Sequence, residues 1–258
     1  RAPNFAVQNC DLLISIGCRL DNIITAFNPQ NFAPYAKKVI VDIDQHEIDK
    51  LDMEIAIPIH SDAETFLTAL VDDLQLGNTD WNNWIKQCQM WKEKYSVNDN
   101  KPFPEVGEIS HYHYTDALSQ MLPPNIIIST GSSGLGIEGF YTVFRNKEGQ
   151  RIYLTSGLGA MGYGLPSAIG ACFANNKKPM VLIEGDGSLQ LNIQEMATLS
   201  AFNLPICLII INNKGYASIR NTQRNYFEGR YVGTGPEAGL MIPDIEKVAA
   251  TYNIPYIQ

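Results

Sequence analysis

The sequence has few of the features that mark secreted, membrane-embedded or nucleic-acid-binding proteins. Its five cysteines are scattered and never form a CxxC pair, which favours buried thiols in a reducing compartment over disulfides or zinc. No apolar run reaches the length of a transmembrane helix, and no signal-peptide pattern is found at its start. No basic block occurs, and the net charge of −8 argues against a nucleic-acid or anionic-membrane partner. We therefore expect a cytoplasmic protein.

The central feature of the sequence is a strand–turn–helix–strand unit. Residues 180–184 are a short apolar run bounded by turn residues, which predicts a buried strand. A Gly-Asp-Gly-Ser turn follows, and then apolar residues recur at helical spacing over residues 189–199. Residues 206–211 form a second apolar, largely β-branched run, as expected of a central strand in a parallel sheet. The pattern predicts an α/β fold.

Oxygen-bearing residues follow both predicted strands. Asp186 and Asn213 lie just beyond the carboxyl ends of strands joined by one helix, which is the edge where open parallel sheets bind ligands. A carboxylate, an amide oxygen and a main-chain carbonyl beside Gly215 are suitable ligands for Mg²⁺ or Ca²⁺. The glycines and a helix start near Ser188 would favour an anion at the same place. We predict a magnesium-bound diphosphate; the alternative is a βαβ unit with merely Gly- and Asn-rich turns.

The Gly-Asp-Gly-Ser turn and the later Asn-Asn-Lys-Gly turn together resemble the cofactor motif of thiamine-diphosphate-dependent enzymes. By this resemblance, Asp186 and Asn213 would give side-chain oxygens to Mg²⁺, and Gly215 its main-chain carbonyl. The resemblance also implies that four residues lie against the diphosphate of the cofactor: Gly187, Ser188, Tyr216 and Ala217.

Two earlier glycine-rich loops fit the same family. The loop over residues 130–136 would lie against the diphosphate, with Ser132 and Ser133 as hydroxyl donors; acetolactate synthases usually carry Gln-His there. In the loop over residues 155–170, the resemblance implies that the Gly159 carbonyl accepts a hydrogen bond from the aminopyrimidine. It also implies that Met161 supports the bent conformation of the cofactor.

The same loops leave a second interpretation open. The pattern G-x-G-x-x-G occurs at residues 134–139 and 157–162, and Glu184 or Asp186 could serve as the ribose-binding acid of a dinucleotide site. A nicotinamide oxidoreductase is therefore an alternative, although it does not explain the Asn-Asn-Lys-Gly turn.

The N-terminal part resembles the later half of the middle domain of acetolactate synthase-like enzymes. Predicted strands at residues 11–17 and 39–43 and a helix over 63–73 supply one α/β unit. Acetolactate synthases hold FAD in this domain, near the position of Arg19, but many relatives keep the domain without flavin. FAD is therefore the less expected outcome, and a solvated or ion-paired turn is the favoured interpretation of Arg19 and Asp21.

These observations predict three segments and one fold class. Residues 1–75 are part of a Rossmann-like middle domain, residues 76–105 a linker with a helix, and residues 106–258 a diphosphate- and Mg²⁺-binding domain that we expect to be incomplete at its C-terminus. The fold class is α/β, a doubly wound parallel sheet preceded by part of a second Rossmann-like domain. We expect residues 111–113, His-Tyr-His, on a strand or loop in a structural role, and a strand at residues 254–258.

The resemblance implies decarboxylation of a 2-oxo acid, pyruvate by default, with transfer of the acyl carbanion to an acceptor carbonyl. The alternative within the family is a simple 2-oxo acid decarboxylase. Arg220 or Arg224 could bind the substrate carboxylate, unless both are surface helix residues. The family's activating glutamate belongs to an N-terminal domain of a neighbouring subunit and has no counterpart here. We therefore expect a homodimer or homotetramer that includes that domain, and no activity from this chain alone.

Overall fold

The structure is a computed structural model that describes residues 2–74, 77, 80–131, 134–154 and 158–258, without the side chains of residues 134–138. The chain divides after Lys101 into two compact units, residues 1–101 and 102–258. Each contains a sheet in which all strand pairs are parallel. The predicted α/β fold with parallel sheets is thereby confirmed. No helix within the described ranges is long and apolar enough to cross a membrane.

The first unit is a three-stranded parallel sheet with flanking helices. The strand order is β1-β2-β3. Its elements, with a 3₁₀ helix at Pro29–Asn31 between β1 and β2, are α1 (Ala2–Asn9), β1 (Leu12–Ile16), β2 (Lys37–Asp42), α2 (Gln45–Asp49), β3 (Ile57–His60), α3 (Ala63–Asp73) and α4 (Asn82–Lys94).

Aromatic contacts hold α4 against α1. The Phe5 ring stacks on the rings of Trp91 and Tyr95, with centroid distances of 5.9 and 4.7 Å. Trp84 meets Trp91 edge-on. The helix that we assigned to a linker therefore packs within the first unit, with Trp91 on its contact face.

The second unit is a four-stranded parallel sheet in the order β5-β4-β6-β7. Two 3₁₀ helices, Gln190–Glu195 and Pro236–Ala238, interrupt its connections. Its other elements are α5 (His111–Met121), β4 (Ile127–Thr130), α6 (Gly134–Val143), β5 (Arg151–Tyr153), α7 (Gly164–Ala174), β6 (Met180–Gly185), α8 (Asp186–Leu189), α9 (Met196–Ala201), β7 (Ile206–Ile211), α10 (Ala217–Tyr226) and α11 (Ile245–Thr251).

Strand β6 is buried on both faces, which explains its uninterrupted apolar run. Met180 and Leu182 belong to a core cluster with residues of α7 and α9, whereas Val181 and Ile183 pack with residues of α5 and α6. Successive side chains of a strand point to opposite faces, so the two clusters lie on opposite sides of the sheet. Helices on both faces make this a doubly wound sheet.

The strand or loop expected at His111-Tyr-His113 was wrong, because these residues form the first turn of α5. Ser110 is the N-cap, and its hydroxyl accepts a hydrogen bond from the His113 main-chain N–H. The capping serine starts the helix at His111. The two histidines are two positions apart, but in a helix this spacing does not place them on one face as it would in a strand.

Two further expectations about secondary structure were wrong. The helix expected over residues 189–199 is three pieces, with a break at Asn192 (φ −139°, ψ 32°). The Asn192 side-chain amide donates to the Gly162 carbonyl, and this contact from another loop favours the break. Residues 254–258 form no strand, because they make no hydrogen-bonded ladder with β7 or any other described strand.

The central packing of the second unit can be tested with two isoleucines. Ile128 is fully buried, whereas Ile257 is 94 % exposed. We expect Ile128→Ala to lower the free energy of unfolding by about 2–5 kcal/mol through lost contacts and a cavity. Ile257→Ala should change it by less than about 0.5 kcal/mol. Urea unfolding curves would measure both, and equal midpoints for the two variants would contradict this placement of the core.

Candidate functional site

The candidate site lies at the carboxyl edge of the second sheet. Gly185, the last residue of β6, pairs with Ile211, the last residue of β7. The residues that follow, Asp186 and Asn212, therefore leave the sheet side by side. Polar groups far apart in sequence meet here because all four strands run in the same direction.

Asp186 joins the two loops that follow β6 and β7. Its side chain is fully buried, and Oδ1 accepts the Gly187 N–H at 2.7 Å. Oδ2 accepts the Gly215 N–H across the gap between the strands, at 3.0 Å. Burial raises the pKa of this carboxyl, while main-chain hydrogen bonds, led by that from Gly215, and the charge of Arg220 oppose the rise. The carboxylate thus fixes the loop geometry by main-chain bonds alone.

Asn213 presents the most informative atom of the site. Its Oδ1 is buried and has no hydrogen-bond partner among the described residues. Such an atom calls for an explanation, because buried side-chain oxygens in folded proteins normally have a donor or a cation. It lies on the same loop as Gly215, whose N–H is held by Asp186. An oxygen-preferring cation would satisfy it.

The oxygen set fits Mg²⁺ rather than a transition metal. Across the described ranges, no group of three or more His, Cys, Asp or Glu side chains is placed to hold a metal ion. One carboxylate, one amide oxygen and one main-chain carbonyl are ligands of the hard type, and Mg²⁺ commonly keeps waters and binds phosphate oxygens besides one or two protein groups. The residues present therefore fit a magnesium–diphosphate ligand.

The turn around Gly187 is closely packed against the second loop. A Cβ on Gly187 would come within 2.7 Å of Cε1 of the Tyr216 ring, so this position has room only for glycine. Tyr216 is the N-cap residue of α10 but makes no side-chain capping bond. The first N–H groups of α10, which begins at Ala217, therefore lack a side-chain cap.

The Ser188 hydroxyl forms a hydrogen bond with the glycine-rich loop that contains Gly159 and Gly162. Its hydroxyl accepts the Gly162 N–H at 2.9 Å, and the side chain is 4 % exposed. Gly162 has φ +80°, and a Cβ there would lie 2.8 Å from Cβ of Leu191. In the same loop, Gly159 adopts φ +59° and Met161 is 40 % exposed. Ser132, Ser133 and residues 155–157 lie outside the described residues.

Glu184 is a buried acid whose role the sequence analysis missed. It is 1 % exposed; Oε1 accepts the Gly185 N–H, and Oε2 has no partner within the described part of the chain. A Cβ on Gly131 or Gly164 would lie 2.0 or 2.1 Å from its carboxylate oxygens. Burial raises the pKa of Glu184, opposed by hydrogen bonds with Ser188 and main-chain groups. The sequence signal that could have revealed this buried acid is a glutamate near the end of an otherwise apolar strand.

This packing weakens the dinucleotide interpretation. A ribose-binding acid must present its carboxylate to a ligand. Glu184 is enclosed between two glycines and is 1 % exposed, so it cannot do so.

The two arginines of α10 have different environments. The Arg220 guanidinium donates to the main-chain carbonyls of Asn213, Lys214 and Thr234. Arg224 is exposed, and its guanidinium donates to the side-chain oxygens of Asn221 and Asn225 on the same helix.

In the first unit, Arg19 and Asp21 both have local partners. Arg19 forms an ion pair with Glu47 at 3.1 Å, and Asp21 Oδ1 accepts the N–H groups of Ile23 and Ile24. These contacts agree with the interpretation of Arg19 and Asp21 as an ion-paired turn, and they do not test FAD binding.

Family comparison places both units in one enzyme family. Residues 130–258 match the family model described as "Thiamine pyrophosphate enzyme, C-terminal TPP binding domain". Residues 1–70 match "Thiamine pyrophosphate enzyme, central domain". The first match covers half of the chain and includes every residue of the candidate site.

Curated relatives carry acetolactate synthase names. The chain is 34 % identical to the acetolactate synthase large subunit of Cyanidium caldarium, over 97 % of this chain and 42 % of the relative. It is 31 % identical to that of Parasynechococcus marenigrum (97 % and 39 %) and 32 % identical to acetolactate synthase 1, chloroplastic, of Oryza sativa subsp. japonica (99 % and 40 %). The chain thus spans about two fifths of the length of these relatives.

Two glycines of α7 test the packing around Glu184. A Cβ on Gly164 would strike the Glu184 carboxylate, whereas a Cβ on Gly170 would meet nothing within 4 Å outside its own helix. We expect Gly164→Ala to destabilise the fold by about 1–3 kcal/mol through overpacking. Gly170→Ala should be neutral or stabilise it by up to about 1 kcal/mol, since alanine favours helix. Denaturant unfolding measures both; a harmless Gly164→Ala would refute the close approach.

Proposed function

Since the chain belongs to the thiamine pyrophosphate enzymes, we propose that its second unit binds the diphosphate and Mg²⁺ of thiamine diphosphate. The observation that carries the proposal is the buried, unpartnered Oδ1 of Asn213, on the loop that Asp186 holds through Gly215. Asp186 and Asn213 would give side-chain oxygens to the metal, and Gly215 its carbonyl. Asp186 already bonds the turn after β6 and the loop after β7 through Gly187 and Gly215.

The diphosphate would be held mainly by main-chain groups. The N–H groups that begin α10 at Ala217 have no side-chain cap, and an anion at a helix N-terminus satisfies such groups. Tyr216, in the loop after β7, packs against Gly187 in the turn after β6, and the absence of a side chain on Gly187 would let the ligand approach the backbone of this turn. Ser188 lies in this turn and also fixes the Gly162 loop through its hydroxyl. Ser132 and Ser133 are proposed as further hydroxyl donors.

The loop that contains Gly159 and Met161 would bind the aminopyrimidine end. Gly159 has the positive φ of +59° that glycine adopts easily, so the loop can turn there and present its carbonyl. Met161 is 40 % exposed and is a flexible apolar side chain suited to support an aromatic ring. When bound, thiamine diphosphate supplies the carbanion-stabilising chemistry that decarboxylation of a 2-oxo acid requires.

For the whole protein we propose a carboligase of the acetolactate synthase type. The donor would be a 2-oxo acid, pyruvate by default, and the acceptor a second carbonyl compound. The family's activating glutamate comes from an N-terminal domain of a neighbouring subunit. We therefore propose a homodimer or homotetramer in which this chain's residues bind and orient the cofactor while the partner supplies that acid.

The cofactor assignment predicts metal-dependent binding. Thiamine diphosphate titrated calorimetrically into the full-length protein should bind with Mg²⁺ present and lose that binding with EDTA. Asp186→Asn should abolish the Mg²⁺-dependent heat, because it removes the buried charge and leaves one acceptor oxygen for the N–H groups of Gly187 and Gly215. Asp73→Asn, which changes an exposed carboxylate at the end of α3, is the control and should bind normally.

The outcomes separate this proposal from the nicotinamide alternative. Thiamine diphosphate binding that ignores both EDTA and Asp186→Asn would refute the proposed metal site. Binding of NADH without Mg²⁺, and no binding of thiamine diphosphate, would overturn the proposal as a whole.

The reaction type predicts a particular product. With pyruvate, thiamine diphosphate and Mg²⁺, the full-length protein should form a carboligation product such as an acyloin or 2-acetolactate, identified by mass spectrometry. Acetaldehyde as the sole product would instead identify a simple decarboxylase. Adding candidate acceptor aldehydes and oxo acids in turn would identify the acceptor.

A further inference from the structure

Arg220 connects two loops through main-chain carbonyls. Its Nη2 donates to the Asn213 carbonyl at 2.7 Å, and Nη1 donates to the carbonyls of Lys214 and Thr234 at 3.1 and 2.5 Å. Two of these acceptors belong to the loop after β7, and the third belongs to a segment about twenty residues later in the chain. One planar guanidinium thus holds both segments.

Other bonds reinforce the same junction. The Thr234 carbonyl also accepts the Tyr216 N–H at 3.0 Å, and the Thr234 hydroxyl donates to Gln223 Oε1. Thr234 is 2 % exposed, so this part of the junction is shielded from water. Gly215 fits tightly inside it, because a Cβ there would lie 2.7 Å from the Thr234 carbonyl oxygen. The guanidinium of Arg220 and Thr234 therefore together clamp the loop after β7, and we call this arrangement the clamp.

The clamp determines which oxygens the loop can offer. Arg220 takes the main-chain carbonyls of Asn213 and Lys214 but does not bond that of Gly215. The Asn213 side-chain oxygen remains unpartnered among the described residues. Asn213 Oδ1 and the Gly215 carbonyl, which the guanidinium leaves unbonded, are the two oxygens of this loop that we assign to Mg²⁺.

We propose that Arg220 is a positioning residue for the metal loop, which is a different role from binding a substrate carboxylate. The inference rests on the proposed function, since it concerns the same metal site. Arg220 acts on the metal through Asn213 and Gly215 and does not touch it. Its Nη atoms are already used by three carbonyls, which leaves it poorly placed to bind the carboxylate of a 2-oxo acid bidentately.

The geometry requires arginine in particular. A guanidinium presents five N–H donors in a rigid plane, so it can bridge acceptors from two segments at once. A lysine would keep the positive charge but place one compact ammonium group where three separate carbonyls need donors. Arg220→Lys is therefore the diagnostic variant, because it separates the bridging geometry from the charge.

The experiment measures how much Mg²⁺ is needed to bind thiamine diphosphate. In the full-length protein, Mg²⁺ is titrated at fixed thiamine diphosphate, with binding followed by calorimetry and, with Mn²⁺ in place of Mg²⁺, by electron paramagnetic resonance. We expect Arg220→Lys to raise the half-saturating metal concentration about 10- to 100-fold, as loss of a group that orients metal ligands does. Arg220→Gln, which keeps a donor without the charge, is a second variant with the same expected direction.

Arg230→Lys is the matched control. Arg230 is 79 % exposed, and its guanidinium pairs with the exposed Glu228. This variant should keep the metal requirement of the unmodified protein. Thermal unfolding without cofactor verifies that each variant is folded before the titration is interpreted.

Each outcome decides between the two roles of Arg220. An unchanged metal requirement in Arg220→Lys and Arg220→Gln, with a raised KM for the 2-oxo acid, would overturn the inference and assign Arg220 to the substrate. A raised metal requirement with an unchanged KM at saturating Mg²⁺ supports it. If the unmodified protein bound no thiamine diphosphate at all, the proposed function would fail and this inference with it, so the two failures are distinguishable.

Discussion

The structure of the candidate site depends on one buried carboxylate that accepts main-chain N–H groups from two loops. Asp186 reaches from the end of β6 to Gly215, beyond the end of β7, while also bonding Gly187 in its own turn. Parallel strands make no direct hairpin, so their carboxyl-terminal loops have no covalent reason to keep a fixed separation. The carboxylate supplies that constraint. Asn213, Gly215 and Tyr216 are positioned relative to Gly187 through it.

A second acid, Glu184, packs against the loop after β4 and the start of α7, at the same edge of the sheet. Glu184 fills the space between Gly131 and Gly164, and neither glycine could carry a side chain without striking it. Some positions of this fold therefore require glycine because a neighbouring group lies too close for a side chain, and others because the backbone has a positive φ. Because each loop is held by contacts with a residue of β6 or the turn after it, the strand acts as the template of the site.

Structural features that depend on neighbouring residues in the sequence could be predicted, whereas features that depend on contacts with distant residues could not. The runs that form β6 and β7 were predicted within one residue, since burial on both faces of a parallel sheet gives a continuous apolar signal. The break at Asn192 could not be predicted, because it accompanies a hydrogen bond with Gly162, thirty residues away. The short strands β3 and β5 gave no clear signal either. The environment of Arg220 was likewise unpredictable, since its partners are main-chain carbonyls that any sequence would provide.

Charge balance explains why this edge of the sheet suits a cation. Asp186 and Glu184 are both buried, two residues apart, and removing a carboxylate from water is costly unless charge or hydrogen bonds compensate. The charge of Arg220 acts on Asp186, but its guanidinium donates its hydrogen bonds to carbonyl oxygens. Asn213 Oδ1 is a further buried oxygen without a hydrogen-bond partner among the described residues. A divalent cation there would compensate the carboxylate and the amide together, and its remaining coordination positions would suit the oxygens of a diphosphate.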